Sequence, residues 1–285
     1  MKQALKTPRH KKPAILALVA VLAVLIGWIF WTNTHFTTSY FTITNPAIPA
    51  DFHGYKIAAV SDLHNQDWNG KLAAKLQAEA PDLIAITGDL VDSSHTNLDV
   101  AMEFIQEIRD IAPIYYVTGN HEAWLAEYDQ LAGLLRDAGV QMMDDQTHLI
   151  QRGNASINLV GIQDPDFTQS TLIDDLHGSI VGEKLESLLR NDLYNVVLCH
   201  RPELFDHYVA LDADLVLTGH AHGGQIRIPF IGGLIAPNQG FFPKYTQGLH
   251  HKNNTDMIVS RGLGNSVLPV RINNTPELVI VTLGE

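Results

Sequence analysis

Cysteine is all but missing from this chain. Cys199 stands alone among 285 residues, which excludes an intramolecular disulfide framework and a thiolate-built zinc module. Basic residues are also scarce, 19 against 31 acidic, for a formal charge of −12. That balance speaks against nucleic acid as the main partner, because phosphate backbones are gripped by Lys and Arg. Repeats at solenoid periods and low-complexity tracts are lacking too. With 46% hydrophobic residues the chain is not wholly disordered. Its length suits one large domain or two small ones around a sizeable core. The mean hydropathy of +0.01 averages two unlike parts.

The first part is N-terminal. Residues 1–12 carry five basic residues, Lys2, Lys6, Arg9, Lys11 and Lys12, and no acid. Residues 14–31, AILALVAVLAVLIGWIFW, then run without a charge. At 1.5 Å per residue this run covers about 27 Å, enough for the ~30 Å apolar core of a bilayer. Trp28 and Trp31 fall where an interfacial aromatic belt belongs. The following WTNTHFTTSY offers no small-x-small cleavage site, no cysteine for a lipid anchor lies nearby, and no twin-arginine pair precedes the run. A buried core helix is the competing reading, but such a helix is not normally apolar all round behind five positive charges.

The expected organisation is a cytoplasmic basic tip (1–13), a transmembrane signal anchor (14–31), an extended connector (32–54) and a domain at 55–285. Basic residues ahead of the span place that domain outside the cytoplasm, on a single-pass cell-membrane protein. Beyond residue 12 the chain has 14 basic and 31 acidic residues, a charge of −17.

From residue 55 one pattern recurs: a short apolar run stops at a polar cluster. Residues 56–61 stop at Asp62-Leu63-His64, and 82–87 at Gly88-Asp89. Residues 114–118 stop at Gly119-Asn120-His121-Glu122, 195–199 at His200, and 214–218 at Gly219-His220-Ala221-His222. Amphipathic stretches at 70–80, 98–110, 126–138 and 182–191 read as helices between them. Apolar strands alternating with helices predict an α/β layered fold with both sheet faces covered. Ligands of such sheets bind beyond the carboxyl ends of the strands, so the five clusters converge on one rim.

The converging set is Asp62, His64, Asp89, Asn120, His121, His200, His220 and His222. Mixed nitrogen and oxygen donors without sulfur suit Mn, Fe or Zn, with Mg possible, rather than a structural zinc. Eight candidates exceed one tetrahedral ion and suit two divalent ions sharing a carboxylate. The other nine histidines read as surface or satisfied core residues, with His250-His251 in a loop. Asn120 taken alone reads rather as a turn residue. Cys199 beside His200 reads as a buried core residue, since neighbouring strand residues face opposite ways.

Asp-x-His, Gly-Asp, Gly-Asn-His-Glu, a lone His and Gly-His-x-His, in that order, resemble the signature of the calcineurin-like metallophosphoesterases over residues 55–285. GHAHGGQIRIP (219–229), SRGLGNSVLPVRINNTPELVIV (260–281) and the apolar N-terminus resemble the membrane-anchored subgroup of YaeI- and YkuE-like phosphodiesterases. One departure is Asn65-Gln66-Asp67, where the family often has a glycine. The resemblance implies a two-sheet αββα sandwich behind one transmembrane helix. It implies that Asp62, His64 and His222 hold one ion, Asp89 bridges, and Asn120, His200 and His220 hold the second. His121 is then the proton donor or phosphate contact.

Glu122 and Asp92 are candidates to orient histidines. Arg201, Arg227, Arg261 and Arg271 are unranked candidates for an anionic substrate, and no substrate-binding residue is assigned. The expected activity is hydrolysis of a phosphodiester or pyrophosphate bond by a metal-bridging hydroxide, on a lipid-linked or cell-envelope substrate. Alternatives are a UDP-2,3-diacylglucosamine pyrophosphatase of lipid A synthesis, a phosphoprotein phosphatase and an inactive metal-binding scaffold. No protein partner is inferable.

Overall fold

The computed structural model describes residues 11–168, 174–265 and 269–285; the first ten residues of the expected basic tip lie outside it. Helix α1 (Lys11–Asn33) is followed by β1 (Thr37–Thr44), β2 (Lys56–Val60), α2 (Lys71–Glu79), β3 (Leu83–Thr87) and α3 (Leu98–Ile108). Next come β4 (Ile114–Val117), α4 (Asn120–Trp124), α5 (Tyr128–Asp137), β5 (Gln141–Met142), β6 (Gln146–Arg152) and β7 (Ala155–Gly161). Then follow α6 (Asp174–Leu188), β8 (Asn195–Leu198), α7 (Phe205–Ala210) and β9 (Leu215–Thr218). Two small hairpins, β10 (Arg227–Ile228) with β11 (Gly232–Gly233) and β12 (Ile235–Ala236) with β13 (Gly240–Phe241), precede β14 (Gly248–Lys252), β15 (Thr255–Val259) and β16 (Glu277–Gly284).

The strands form two six-stranded sheets, ordered β1-β16-β2-β3-β4-β5 and β14-β15-β9-β8-β7-β6. Within them β2, β3, β4 and β5 run parallel, as do β7, β8, β9 and β15. Alternation of side chains along each strand explains the layering. Ile57 and Ala59 of β2 meet Val196 and Leu198 of β8 in a core between the sheets. Ala58 and Val60 face the other way, onto Leu72 and Leu76 of α2 and Ile105 of α3. Val197 and Cys199 lie on the far face of the second sheet with Val181, Leu185 and Tyr208 from α6 and α7. Helix, sheet, sheet, helix is the αββα sandwich expected, with Cys199 a buried core residue.

Three local readings change. Residues 37–44 are not connector: β1 pairs in parallel along its whole length with β16 and buries Ile43. Its run TTSYFTIT has the β-branched composition of an edge strand. Helix α6 begins at Asp174, about two turns ahead of the expected 182–191. His250 and His251 lie on β14, where alternation sends them apart: His250 stacks on Tyr245 at 5.1 Å, while His251 pairs with Asp256 at 2.8 Å.

Helix α1 is apolar over Ile15–Asn33, with a mean hydropathy of 2.6 and only 6% of that stretch buried. A helix of this length and composition can cross a membrane. Its C-terminal end is held against the domain by Asn33, which donates to the Arg271 carbonyl and accepts from the Arg271 N–H, both at 2.8 Å.

Candidate metal centre

Each of the eight clustered residues follows the carboxyl end of a parallel strand: β2 for Asp62 and His64, β3 for Asp89, and β4 for Asn120 and His121. In the second sheet β8 leads to His200, and β9 to His220 and His222. The two sheets meet here. His200 Nδ1 donates to the Thr87 carbonyl across the sandwich at 2.7 Å, and Asp62 accepts the His220 N–H at 2.9 Å. The loop after β2 rests on the loop after β3, through Asp62 N–H to Gly88 O at 3.1 Å and His64 N–H to Asp89 O at 3.0 Å. Leu63 and Ala221, between the paired donors, are buried and peg both loops into the core.

Close approach explains two of the glycines. A Cβ at Gly119 would strike the Asp89 carboxylate, and one at Gly219 would strike Ser61 and Asp62. Only a residue without a side chain lets the loops close around these carboxylates.

Among the described residues donor atoms gather in three groups, each within 4.8 Å: Asp62, His64, Asp89 and His222 in one, Asp89, His200 and His220 in another that shares Asp89, and His64, Asp92 and His121 in a third that shares His64. Asp89 Oδ2 lies 3.1 Å from His200 Nε2 and 3.5 Å from His64 Nε2. His64 Nε2 and His222 Nε2 are 3.2 Å apart, and His222 Nε2 is 3.4 Å from Asp62 Oδ1. Because His200 Nδ1–H is spent on Thr87, its Nε2, which donates to Asp89 while the ring is charged, is the atom that would bind a metal on losing that proton. His220 Nε2 donates to Asn238 Oδ1 at 2.9 Å, which leaves Nδ1 as that ring's lone-pair atom. Asn120 is buried, and its Oδ1 has no hydrogen-bond partner among the described residues. An orphaned amide oxygen beside clustered carboxylates and imidazoles fits a divalent cation of the Mn, Fe or Zn kind.

The electrostatics of the cluster suit a cation. Burial raises the Asp62 carboxyl above its usual range, and the Asp89 charge adds to that. Burial also raises Glu122, with help from Asp89, to about 7. At His200 burial opposes the imidazolium, but Asp89 and Asp62 outweigh it and raise the ring to about 10. His220 and His222 are held neutral by burial and by the neighbouring cations Arg201, His200, His64 and Arg271. Neutral imidazoles are the form that binds metal.

The supporting residues are partly those expected. Glu122 accepts from the N–H groups of Asp89, Leu90 and Gly119 at 2.9, 2.8 and 2.7 Å, clasping two donor loops. Asp92 Oδ2 stands 3.5 Å from His64 Nδ1 and 3.8 Å from His121 Nδ1. Asp164 and Asn238 are additions. Asp164 grips the buried Arg201 with two bonds of 2.6 and 2.7 Å, and Arg201 Nη1 reaches Asn238 at 2.9 Å. The signal for Asp164 was the same strand-end pattern, since the apolar run of β7 stops just before it. Asn238 sits in a Pro-Asn-Gln-Gly turn, and nothing local marks it.

Of the four arginines, Arg201 meets His220 through the Asn238 oxygen to which both donate, and Arg271 Nη2 lies 3.2 Å from His222 Nδ1. Arg227 bonds the Gly223 carbonyl and Arg261 pairs with Glu277.

An αββα sandwich whose strand ends gather carboxylates, imidazoles and an amide around one shared aspartate defines a metal-dependent hydrolase of phosphoric esters. Residues 55–224 match the calcineurin-like phosphoesterase family, and the chain belongs to it. It is 29% identical over 254 residues to YkuE, an uncharacterized metallophosphoesterase of Bacillus subtilis, covering 86% of this chain and 85% of that one. It is 28% identical over 239 residues to the phosphodiesterase YaeI of Escherichia coli, covering 80% and 82%. It is 26% identical over 293 residues to a transmembrane protein with metallophosphoesterase domain from Bos taurus, covering 95% of this chain and 62% of that one.

Proposed function

We propose that the chain is a membrane-anchored phosphodiesterase or pyrophosphatase whose substrate is amphiphilic, with its catalytic domain outside the cytoplasm. The carrying observation is the pair of donor groups sharing Asp89 beside the orphaned Asn120 oxygen. Asp62, His64 and His222 would hold one divalent ion and Asn120, His200 and His220 the other, with Asp89 common to both. Such ions polarise phosphoryl oxygens and lower the pKa of water, giving hydroxide at neutral pH.

The protein's own groups do the remainder. His121 Nδ1 accepts the Ser93 N–H at 3.1 Å, so the neutral ring keeps its hydrogen on Nε2. That N–H would hydrogen-bond the leaving oxygen and stabilise its developing charge, a contribution of about 10²–10³-fold. Asp89 Oδ1 accepts the His121 backbone N–H at 2.9 Å, fixing this residue to the shared carboxylate. Trp124, exposed and with its ring 5.2 Å from that of His121, gives the mouth an apolar lip suited to a lipid-like group. The diester reading is supported by the relative YaeI, a phosphodiesterase. The membrane reading is supported by α1 and the five basic residues ahead of its apolar run.

The full chain, purified in detergent and stripped of metal, is to be assayed with Mn, Zn, Fe or Mg restored. Metal-dependent turnover of bis(p-nitrophenyl) phosphate above that of p-nitrophenyl phosphate is expected, falling about 10²–10³-fold in His121→Ala. Full turnover in His121→Ala would sink the role given to this residue. Turnover confined to the monoester would sink the diesterase reading.

A further inference from the structure

Residues 226–245 contain no acid in a chain that has 31, and their charges are Arg227 and Lys244 alone. The segment leaves the metal centre just after His222 and returns to it at Asn238, whose amide oxygen meets His220 and Arg201. Between those points it folds as the hairpins β10–β11 and β12–β13. The apolar side chains at their outer ends join none of the three cores. Phe230 is fully exposed, and Phe241, Ile231 and Phe242 are 71%, 63% and 62% exposed. Phe230 and Phe242 also hold left-handed backbones, at φ 67° and 55°, which bulky residues rarely adopt. Water gives no reason to display three phenylalanines and an isoleucine beside a polar catalytic mouth.

One short segment ties this surface to the base of α1. The Arg271 backbone is doubly bonded to Asn33, the last residue of the helix, while its guanidinium reaches His222. The next residue, Ile272, bridges Ile226 in parallel and accepts the Arg227 N–H at 3.0 Å. Helix end, metal centre and first hairpin are therefore joined within two consecutive residues. When α1 enters a bilayer, the hairpins are held at the same surface.

We propose that Phe230, Ile231, Phe241 and Phe242 are a second membrane contact, inserting at the headgroup–acyl boundary beside α1. The metal centre then opens onto the bilayer surface and acts on phosphoesters whose apolar part stays in the lipid. Composition favours lipid over a protein surface: aromatic and aliphatic residues with basic flanks and no acid suit the interface. The rest of the domain, at high negative charge, does not. This orientation rests on the reading of the site as a phosphoesterase of amphiphilic substrates.

The test uses the full chain reconstituted in phosphatidylcholine–phosphatidylglycerol vesicles. Cys199 is buried, so a cysteine placed by Phe230→Cys takes an environment-sensitive fluorophore alone. Leu249→Cys, at a half-exposed position on β14, is the control. The label at 230 is expected to shift blue and to be quenched roughly twofold more than the control by lipids brominated near the headgroup, the depth an interfacial side chain reaches. Equal, water-like emission at both positions overturns the proposal. A blue shift without lipid quenching also overturns it, in favour of a second copy or another protein on the patch.

As a second readout, Phe230→Glu with Phe241→Glu is expected to keep turnover of bis(p-nitrophenyl) phosphate and to lose at least about tenfold on a bilayer-embedded phosphodiester, because the charged tips leave the interface. Unchanged turnover of both substrates overturns the proposal. Failure of the wild-type chain to turn over the soluble diester with any metal overturns the catalytic reading instead, and the labelling result still decides the membrane contact.

Discussion

Five of the eight clustered residues hold left-handed backbones: Asp62, His64, Asp89, His220 and His222, with φ between 46° and 65°. Each such residue costs about 1–3 kcal/mol against an ordinary conformation and persists only where its surroundings enforce it. Here the enforcement is visible in the loop-to-loop hydrogen bonds and in the pegs Leu63 and Ala221. The strain turns successive donors inward from strand ends that would otherwise aim them to opposite sides. A second single-residue device lies just outside the site. Asp144 accepts from the Thr118 N–H and hydroxyl at 2.9 and 3.0 Å and from the Tyr128 hydroxyl at 3.2 Å, steadying the end of β4. Burial raises its carboxyl to about 6 despite those bonds. Between pH ~4 and ~6 the folded state therefore keeps a proton that the unfolded chain has lost. Stability from this group falls as pH rises through that window and stays lower above it, by about 3 kcal/mol. Asp144→Asn keeps an acceptor for Thr118 and places an amide N–H on the Tyr128 hydroxyl. It is expected to be the more stable protein at pH 8 and to lose that advantage at pH 4, read by urea denaturation at the two pH values. A pH-independent difference would contradict the raised carboxyl.

At the scale of elements, the strands were legible because burial on both faces leaves an apolar run cut off by a polar cluster. The five runs found in the sequence end within a residue or two of β2, β3, β4, β8 and β9, and the carboxylates and imidazoles named from them gather in overlapping groups. What stayed hidden involves partners distant in sequence. Asn238 and Asp164 act through Arg201, and no local pattern shows an arginine braced from two other loops. The outer strand β1 alternates exposed and covered residues, so it lacks the apolar run of a central strand. Its place follows only from β16, more than 230 residues later. This pairing makes the start of the domain testable. A chain beginning at His35 keeps β1 and is expected to be folded without α1. One beginning at Asn45 uncovers the whole length of β16 and deletes the buried Ile43, worth about 1.5–3 kcal/mol by itself, besides leaving a bare sheet edge prone to aggregation. Soluble yield and thermal melting compare the two. Equal behaviour would mean that β1 is a connector after all.

Across the whole molecule the charge of −17 beyond the N-terminal tip is not spread evenly in its effects. Asp62, Asp89 and Glu122 are buried within one loop cluster, where water cannot screen them. The histidines and arginines around them supply a partial answer, seen in the raised His200 and the neutral His220 and His222. Divalent ions would supply the rest, which would link metal to fold. A ligand at 100 times its Kd that binds only the native state adds about 2.7 kcal/mol per site. Two sites give about 5 kcal/mol, and at about 2–4 °C per kcal/mol the melting temperature rises by roughly 10–20 °C on loading. Asp89 is the one carboxylate that two of the donor groups share. Asp89→Asn is therefore expected to abolish most of the Mn-dependent rise rather than half of it. Asp62→Asn touches one group and should leave about half. Scanning calorimetry of the stripped and Mn-loaded chains reads both outcomes directly. A rise in Asp89→Asn equal to that in Asp62→Asn would show that the two groups do not share Asp89, and the paired-ion reading would fall with it.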